Sequence, residues 1–402
     1  MDPVRNPFAP GAGSRPPELA GRGLIIDRAS IAIQRVIQGR HDKSQILLGL
    51  RGTGKTVLLN AIEELAETNH HMTSFIEAPE DQALLEMLYP RVHQVLRRLS
   101  VTESAKTAAH KALQALNSIA GKFKITMGDF SISVDPEPGV ADSGHLEYDL
   151  VDLFVRVGQA AKDAGTAWTL MIYEIQYLKQ SELSALIVAI HSINQKRLPV
   201  LLFGAGLPQV AALSGDAKSY AERLFDFPAI GALSPEDAAD AIRQPIEDEG
   251  ETIAPPALAE IVRNTQGYPY FLQEWGYQTW NVADSSPITK KHVTAASPHV
   301  LERLDNGFFR VRFERLTPKE RTYVLAMAGL GVGPYRSSDV AERLRESMQS
   351  LGPRRAQIIS KGMIYSPAHG DIAFTVPMFE DFLQRTFADQ VQAYIVDNTT
   401  GK

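Results

Sequence analysis

Eight consecutive residues, Gly49-Leu50-Arg51-Gly52-Thr53-Gly54-Lys55-Thr56, have the types and the spacing needed to hold a chain of phosphates. Glycines let successive backbone N–H groups face an anion, a lysine neutralises the outer phosphates, and the closing hydroxyl can enter the shell of a magnesium ion. The GxxxxGK[ST] pattern gains weight when a buried strand enters it and a helix leaves it. Both flanks are present: Gln45-Ile46-Leu47-Leu48 is an apolar run that ends at glycine, and Lys55 to Glu67 has helical spacing. Gly49, Leu50, Arg51, Gly52, Thr53, Gly54, Lys55, Thr56 and the adjoining Val57 are therefore candidate residues for binding ATP or ADP, with Thr56 as the candidate ligand of Mg2+.

A second group lies at Thr169-Leu170-Met171-Ile172-Tyr173-Glu174, where a buried strand delivers an acid to its C-terminal end. Ligands of α/β sheets gather at that edge. Glu174 is placed to orient and polarise an attacking water, the positioning that phosphoryl transfer requires. The plainer reading of one glutamate after a strand is a helix-cap carboxylate, and the phosphate loop upstream favours the catalytic one.

Elements that could position these groups follow from hydrophobic periodicity. Helical spacing covers Ile31 to Ile37, Asp81 to Leu99, Glu103 to Ile119 and Leu146 to Ala164; Met72 to Ile76, Thr169 to Ile172 and Val200 to Phe203 read as further strands. Continuous apolar strands separated by helices imply a parallel sheet covered on both faces, an α/β core. The stretch 101–140 is an insertion in which Phe123 to Met127 and Phe130 to Val134 alternate around Gly128-Asp129 as a hairpin. It covers core surface or binds a partner. Residues 234–299 lack strand patterns and open on Ser234-Pro235-Glu236-Asp237, a helix-start signature, so a small helical lid is expected.

From here the chain resembles bacterial AAA+ ATPases of the replication-initiator-like and STAND group over nearly its whole length. The resemblance implies a P-loop NTPase core with a parallel sheet at 24–232, preceded by an extended strap at 1–23. A helical lid at 233–303 and a C-terminal winged helix-turn-helix at 304–402 complete it. It implies that Ala20-Gly21-Arg22 helps frame the adenine, that Gly267-Tyr268-Pro269 is the lid signature through which Pro269 touches nucleotide, and that Arg223 is placed as an arginine finger. Leu202 to Pro208 matches the sensor 1 strand but carries no polar side chain at the strand end. The group usually has Asp-Glu at the end of its Walker B strand; here Tyr173 stands at the aspartate position, which argues for ATP binding more firmly than for turnover.

The last section reads as helices Pro318 to Ala328, Ser337 to Leu344 and Leu351 to Lys361, then strands Met363 to Tyr365 and Ile372 to Thr375 around a turn at Pro367 to Asp371. A winged helix can enter the major groove with its third helix, and Arg354, Arg355 and Lys361 place three positive charges there, the candidate contacts to double-stranded DNA. From Arg315 to Lys402 there are eleven Lys/Arg and nine Asp/Glu, so the module is close to neutral; that also suits packing on the core or binding a protein partner.

Bulk properties bound these readings. A formal net charge of −6 offers phosphate polymers no global attraction, leaving only local patches. The absence of cysteine excludes disulfides, thiol nucleophiles and Cys-ligated zinc, and with apolar runs too short to span a membrane and no secretory h-region near the start, a cytoplasmic protein is expected. The leading expectation is a nucleotide-dependent switch with slow hydrolysis and DNA as output. Its alternative is a non-catalytic ATP-binding scaffold for signalling or defence that acts through protein partners, and a finger acting in trans would require a homo-oligomer.

Overall fold

The computed structural model describes residues 1–11, 19–79, 82–101, 103–123 and 139–394. These residues form two compact units. One comprises Gly21–Gly49 and Gly54–Gly231, the other Met1–Ala20, Leu50–Thr53 and Ala232–Lys402.

The first unit runs α1 (Gly23–Ile37), β1 (Ser44–Gly49), α2 (Lys55–Thr68), β2 (His71–Glu77), α3 (Leu84–Leu99), α4 (Lys106–Lys122), α5 (Leu146–Asp163), β3 (Ala167–Tyr173), α6 (Gln180–Lys196), β4 (Val200–Gly206), α7 (Val210–Ala217), α8 (Ala221–Leu224), β5 (Phe225–Asp226) and β6 (Ala229–Ile230). The strands pair in parallel in the order β2-β3-β4-β1-β5, with β6 also on β1. Because side chains alternate along a strand, each strand feeds two cores. Ile46, Leu170, Ile172 and Leu202 join the core built with α3 to α6, while Leu47, Met171, Leu201 and Phe203 join the core built with α1 and α2. That double burial is the physical reason for the unbroken apolar runs. The expected α/β fold with a parallel sheet is the observed one. Of the expected hairpin, residues 124–134 lie outside the described residues.

One buried polar group in this sheet carries a pH consequence. His71 at the start of β2 is 5% exposed. Its Nε2–H donates to the Ile33 carbonyl at 3.1 Å, so Nδ1 is left to accept from the Thr169 hydroxyl at 2.8 Å. The arrangement suits a neutral ring, and burial pushes its pKa down to about 4.

The second unit contains α9 (Pro235–Asp248), α10 (Pro255–Thr265), α11 (Pro269–Val282), α12 (Lys290–Arg303), α13 (Arg310–Glu314), α14 (Pro318–Ala328), β7 (Tyr335–Arg336), α15 (Ser337–Leu344), α16 (Met348–Ser360), β8 (Ile364–Tyr365), β9 (Asp371–Phe374), α17 (Phe379–Thr386) and α18 (Ala388–Gln392). Ser234 caps α9, its hydroxyl accepting from Asp237 N–H at 3.1 Å, as the Ser-Pro-Glu-Asp start requires. Thr317 and Glu320 form a reciprocal capping box on α14. β7, β9 and β8 make a small antiparallel sheet, one strand more than the sequence pattern indicates. A single core runs through the unit: Phe309 stacks against Phe382 at 5.4 Å and meets Phe271 of α11 edge-on at 6.0 Å. Residues 304–309, a wide helical turn between α12 and α13, thus carry continuous packing across the expected 303/304 boundary.

The N-terminal segment belongs to this second core. Phe8 is 2% exposed and lies so close to α11 that a Cβ at Gly276 would stand 2.6 Å from its ring. Trp280 donates its indole N–H to the Asp2 carbonyl at 2.8 Å, and the Asn6 amide donates to the Tyr277 carbonyl at 3.0 Å.

Candidate functional site

β1 ends at Gly49 and α2 begins at Lys55, so the loop between them crosses from the C-terminal edge of a central strand to a helix N-terminus. That helix is 14 residues long and its first-turn N–H groups and dipole favour an anion. Gly52 and Gly54 adopt φ of +83° and +91°, which side chains seldom tolerate, so the motif glycines are there for conformation. Thr53 ties the loop internally, its hydroxyl donating to the Leu50 carbonyl at 2.9 Å. Lys55 is 3% exposed and its ammonium donates to the Gly49 carbonyl at 2.9 Å, holding a buried charge across the loop mouth. Thr56 and Val57 occupy the first turn of α2, half-buried. This geometry fits a polyphosphate. No cluster of three or more carboxylate or imidazole groups among the described residues is arranged to hold a metal.

The loop crest, Leu50–Thr53, packs with the second unit. A Cβ at Gly52 would lie 2.9 Å from the Tyr268 ring, and Tyr270 N–H donates to the Gly52 carbonyl at 3.3 Å. Tyr268 sits inside the Gly267-Tyr268-Pro269 signature, and Pro269 is the first residue of α11. Burial raises the Tyr268 phenol far above the ordinary tyrosine range, so it stays neutral. Arg51 also lies beside Arg312, whose pKa burial and then the Arg51 charge bring down to about 10. The two tyrosines that touch the crest escaped the sequence reading, which singled out only the proline between them.

Two strands along, Glu174 follows the end of β3. It is 8% exposed and takes φ +54° and ψ +40°, a left-handed conformation costly for a non-glycine residue and common where function dictates geometry. The Gln176 amide donates to the Glu174 carboxylate, and the Gln176 carbonyl oxygen accepts from Leu207 N–H, at 3.2 Å in the second case. Gln176 thereby supplies, at the end of β4, the polar group that the strand's own sequence lacks. Tyr173 closes β3, half-buried and in register with Glu77 and Ala205.

The remaining candidates are dispersed. Arg22 stands at the N-terminus of α1 and donates to the Gly231 carbonyl at 2.6 Å. Arg223 lies exposed on α8, with no ion pair among the described residues. Arg354 and Arg355 lie on α16 and Lys361 at its C-terminal cap, and all three are engaged within the unit: Arg354 with both Glu346 oxygens at 2.9 and 3.0 Å, Arg355 with the Ser337 hydroxyl at 2.9 Å, Lys361 with Glu320 at 2.7 Å.

Comparison with known proteins accords with this architecture. Residues 18–203 match the family described as AAA ATPase domain, and residues 306–383 match a family described as a domain of unknown function. No curated protein matches the chain by sequence. The fold is similar to a Walker-type ATPase of Pyrococcus abyssi, at 15% identity and TM-score 0.58 with 92% of this chain and 97% of that one covered. It is also similar to the ORC2 protein of Aeropyrum pernix, solved in ADPNP–ADP complexes, at 13% identity and TM-score 0.52, covering 95% and 97%. The core has an AAA+ ATPase-type fold, a P-loop on a parallel α/β sheet followed by a helical C-terminal region. No helix among the described residues is long and apolar enough to cross a membrane.

Proposed function

We propose that the protein binds ATP with Mg2+ on the Gly49–Thr56 loop and works as a nucleotide-dependent switch whose hydrolysis is slow. The observation that supports this reading is the loop itself: two glycines at positive φ, a buried Lys55 across the mouth, and a 14-residue helix aimed at the space where phosphates would lie. When bound, magnesium would neutralise phosphate charge. Lys55 would hold the outer phosphates, Thr56 would ligate the ion, and Glu174, fixed by Gln176, would orient a water. Arg22 and Pro269 would contact the nucleotide, and Arg223 from a second copy would complete the site in a homo-oligomer. The Tyr268 and Tyr270 contacts at Gly52 give lid helix α11 a direct hold on the loop crest. Slow turnover follows from Tyr173, because a neutral phenol cannot take over the magnesium-shell role of a carboxylate.

Lys55→Ala tests the central statement. Loss of its charge-assisted contacts should weaken ATP binding at least about 30-fold, the equivalent of roughly 2 kcal/mol, measured by titration of a fluorescent ATP analogue. Unchanged affinity would remove the reading. Tyr173→Asp should raise magnesium-dependent phosphate release at least about tenfold; no rise would free Tyr173 of blame for slow turnover.

A second reading takes the C-terminal elements as a winged helix that meets duplex DNA through Arg354, Arg355 and Lys361, and is supported by their order, α14-α15-α16 followed by the β8–β9 hairpin. Its difficulty is that each of those cations already has an internal partner. If it holds, replacing Arg354 and Arg355 with alanine weakens duplex binding; if not, only stability changes. The scaffold alternative, acting through protein partners, predicts ATP binding with no phosphate release in any condition.

A further inference from the structure

The chain carries a second basic helix, and its charges are disposed differently. Along α3, Val92, Val95, Leu96 and Leu99 are buried while Arg91, Gln94, Arg97 and Arg98 are exposed. The exposed set recurs at three- and four-residue intervals and therefore shares one helix face. Together with Pro90 and His93 it lines a groove of about 410 Å³. Arg91, Arg97 and Arg98 make no ion pair with any described residue, although the Arg91 charge lowers the pKa of Glu63 against the larger effect of that group's burial. Residues 84–122 hold six Lys/Arg against two Asp/Glu, in a chain whose net charge is −6. One of those two acids, Glu103, is already matched by Lys106 at 3.8 Å.

We infer that the exposed face of α3 is a docking surface for the phosphate backbone of duplex nucleic acid. Guanidinium forks match phosphate oxygens in pairs. From Arg91 to Arg98 the helix rises about 10 Å, which spans roughly three phosphate steps of one strand at 3.4 Å each. The face lacks the features of rival partners. Its aromatic neighbours on α3, Tyr89 and His93, are both buried and stack on each other, so they offer no platform for single-stranded bases. The apolar residues of α3 are inside the core, so nothing remains to enter a bilayer. The contacts would be independent of sequence, because they reach phosphates and not base edges. This inference stands apart from the nucleotide reading, since no residue of the Gly49–Thr56 loop takes part.

The test is anisotropy of a fluorescent 30-base-pair duplex titrated with full-length protein between 50 and 200 mM KCl. Changing Arg91, Arg97 and Arg98 together to alanine should lower affinity at least about tenfold and reduce the salt slope by roughly 2 to 3, as expected for losing three phosphate contacts. The corresponding triple lysine variant should keep most of the salt slope, and Lys55→Ala should bind the duplex as well as the parent. These side chains are exposed, so circular dichroism should show all variants folded. The inference is overturned if the parent binds the duplex no better than a polyglutamate of equal charge or a phosphatidylserine vesicle. It is equally overturned if the triple alanine variant keeps the parent's affinity and slope.

Discussion

α3 and α16 each bring three cations to the surface of their unit, and the fates of those cations are opposite. On and beside α16, Arg354 grips Glu346 with two parallel hydrogen bonds, Arg355 bonds Ser337, and Lys361 reaches a Glu320 that is only 1% exposed. On α3, Arg97 and Arg98 are exposed and make no ion pair among the described residues, and the helix's one carboxylate, Glu86, lies in its first turn. The count of positive charges is the same, but the field outside the helix is set by where the acids lie. Burial would raise the Glu320 pKa, yet hydrogen bonds from Lys361 and Thr317 more than offset it and hold the group below the ordinary glutamate range. The C-terminal triad is thus part of what fixes its module, whereas the α3 triad is left for something outside.

This contrast can be broken by stability measurements. Lys361→Ala would strand a buried carboxylate and should destabilise the second unit by about 2 to 3 kcal/mol, short of the cost of a fully buried pair because the lysine side chain is 32% exposed. A urea midpoint equal to the parent's would erase the distinction between the helices. The first unit should respond instead to acid. The folded-state pKa of His71 is lowered to about 4, below its unfolded value near 6.5, so the unfolded chain takes up a proton first and stability falls as pH drops through that window. Between pH 7 and 5 the loss should be about 2 kcal/mol. His71→Gln should remove that slope whatever it costs at neutral pH. Arg354→Ala, which gives up a paired contact at a site 14% exposed, should cost about 1 kcal/mol. Arg97→Ala should fall within about 0.5 kcal/mol of the parent, the range of an ordinary exposed position.

The phosphate loop was legible in the sequence because its chemistry is local: glycine conformation, strand entry and helix exit all sit within twenty residues. The parallel sheet was legible because strands buried on both faces must be apolar throughout. What stayed hidden depends on residues far apart. Gln176 hides because its role is to join Glu174 to Leu207, across two strands. Tyr268 and Tyr270 hide because aromatic residues at a helix start read as core until Gly52 is seen against them. The engagement of Arg354 and Lys361 hides for the same reason, since Glu346 and Glu320 are 8 and 41 residues away. β7 hides because two residues are too short for a periodic pattern.

The seat of Phe8 on Gly276 bears on how this protein can be divided. A polypeptide starting at residue 232 would carry all of α9 to α18 and yet leave an aromatic-sized hole at Gly276 of α11 and strip Trp280 of the Asp2 carbonyl to which its indole donates. Dissection of the chain at domain borders should therefore fail to yield a well-behaved C-terminal fragment, and a peptide of residues 1–11 added back should restore it. For anyone building a split reporter from this protein, residues 1–11 are the natural second half.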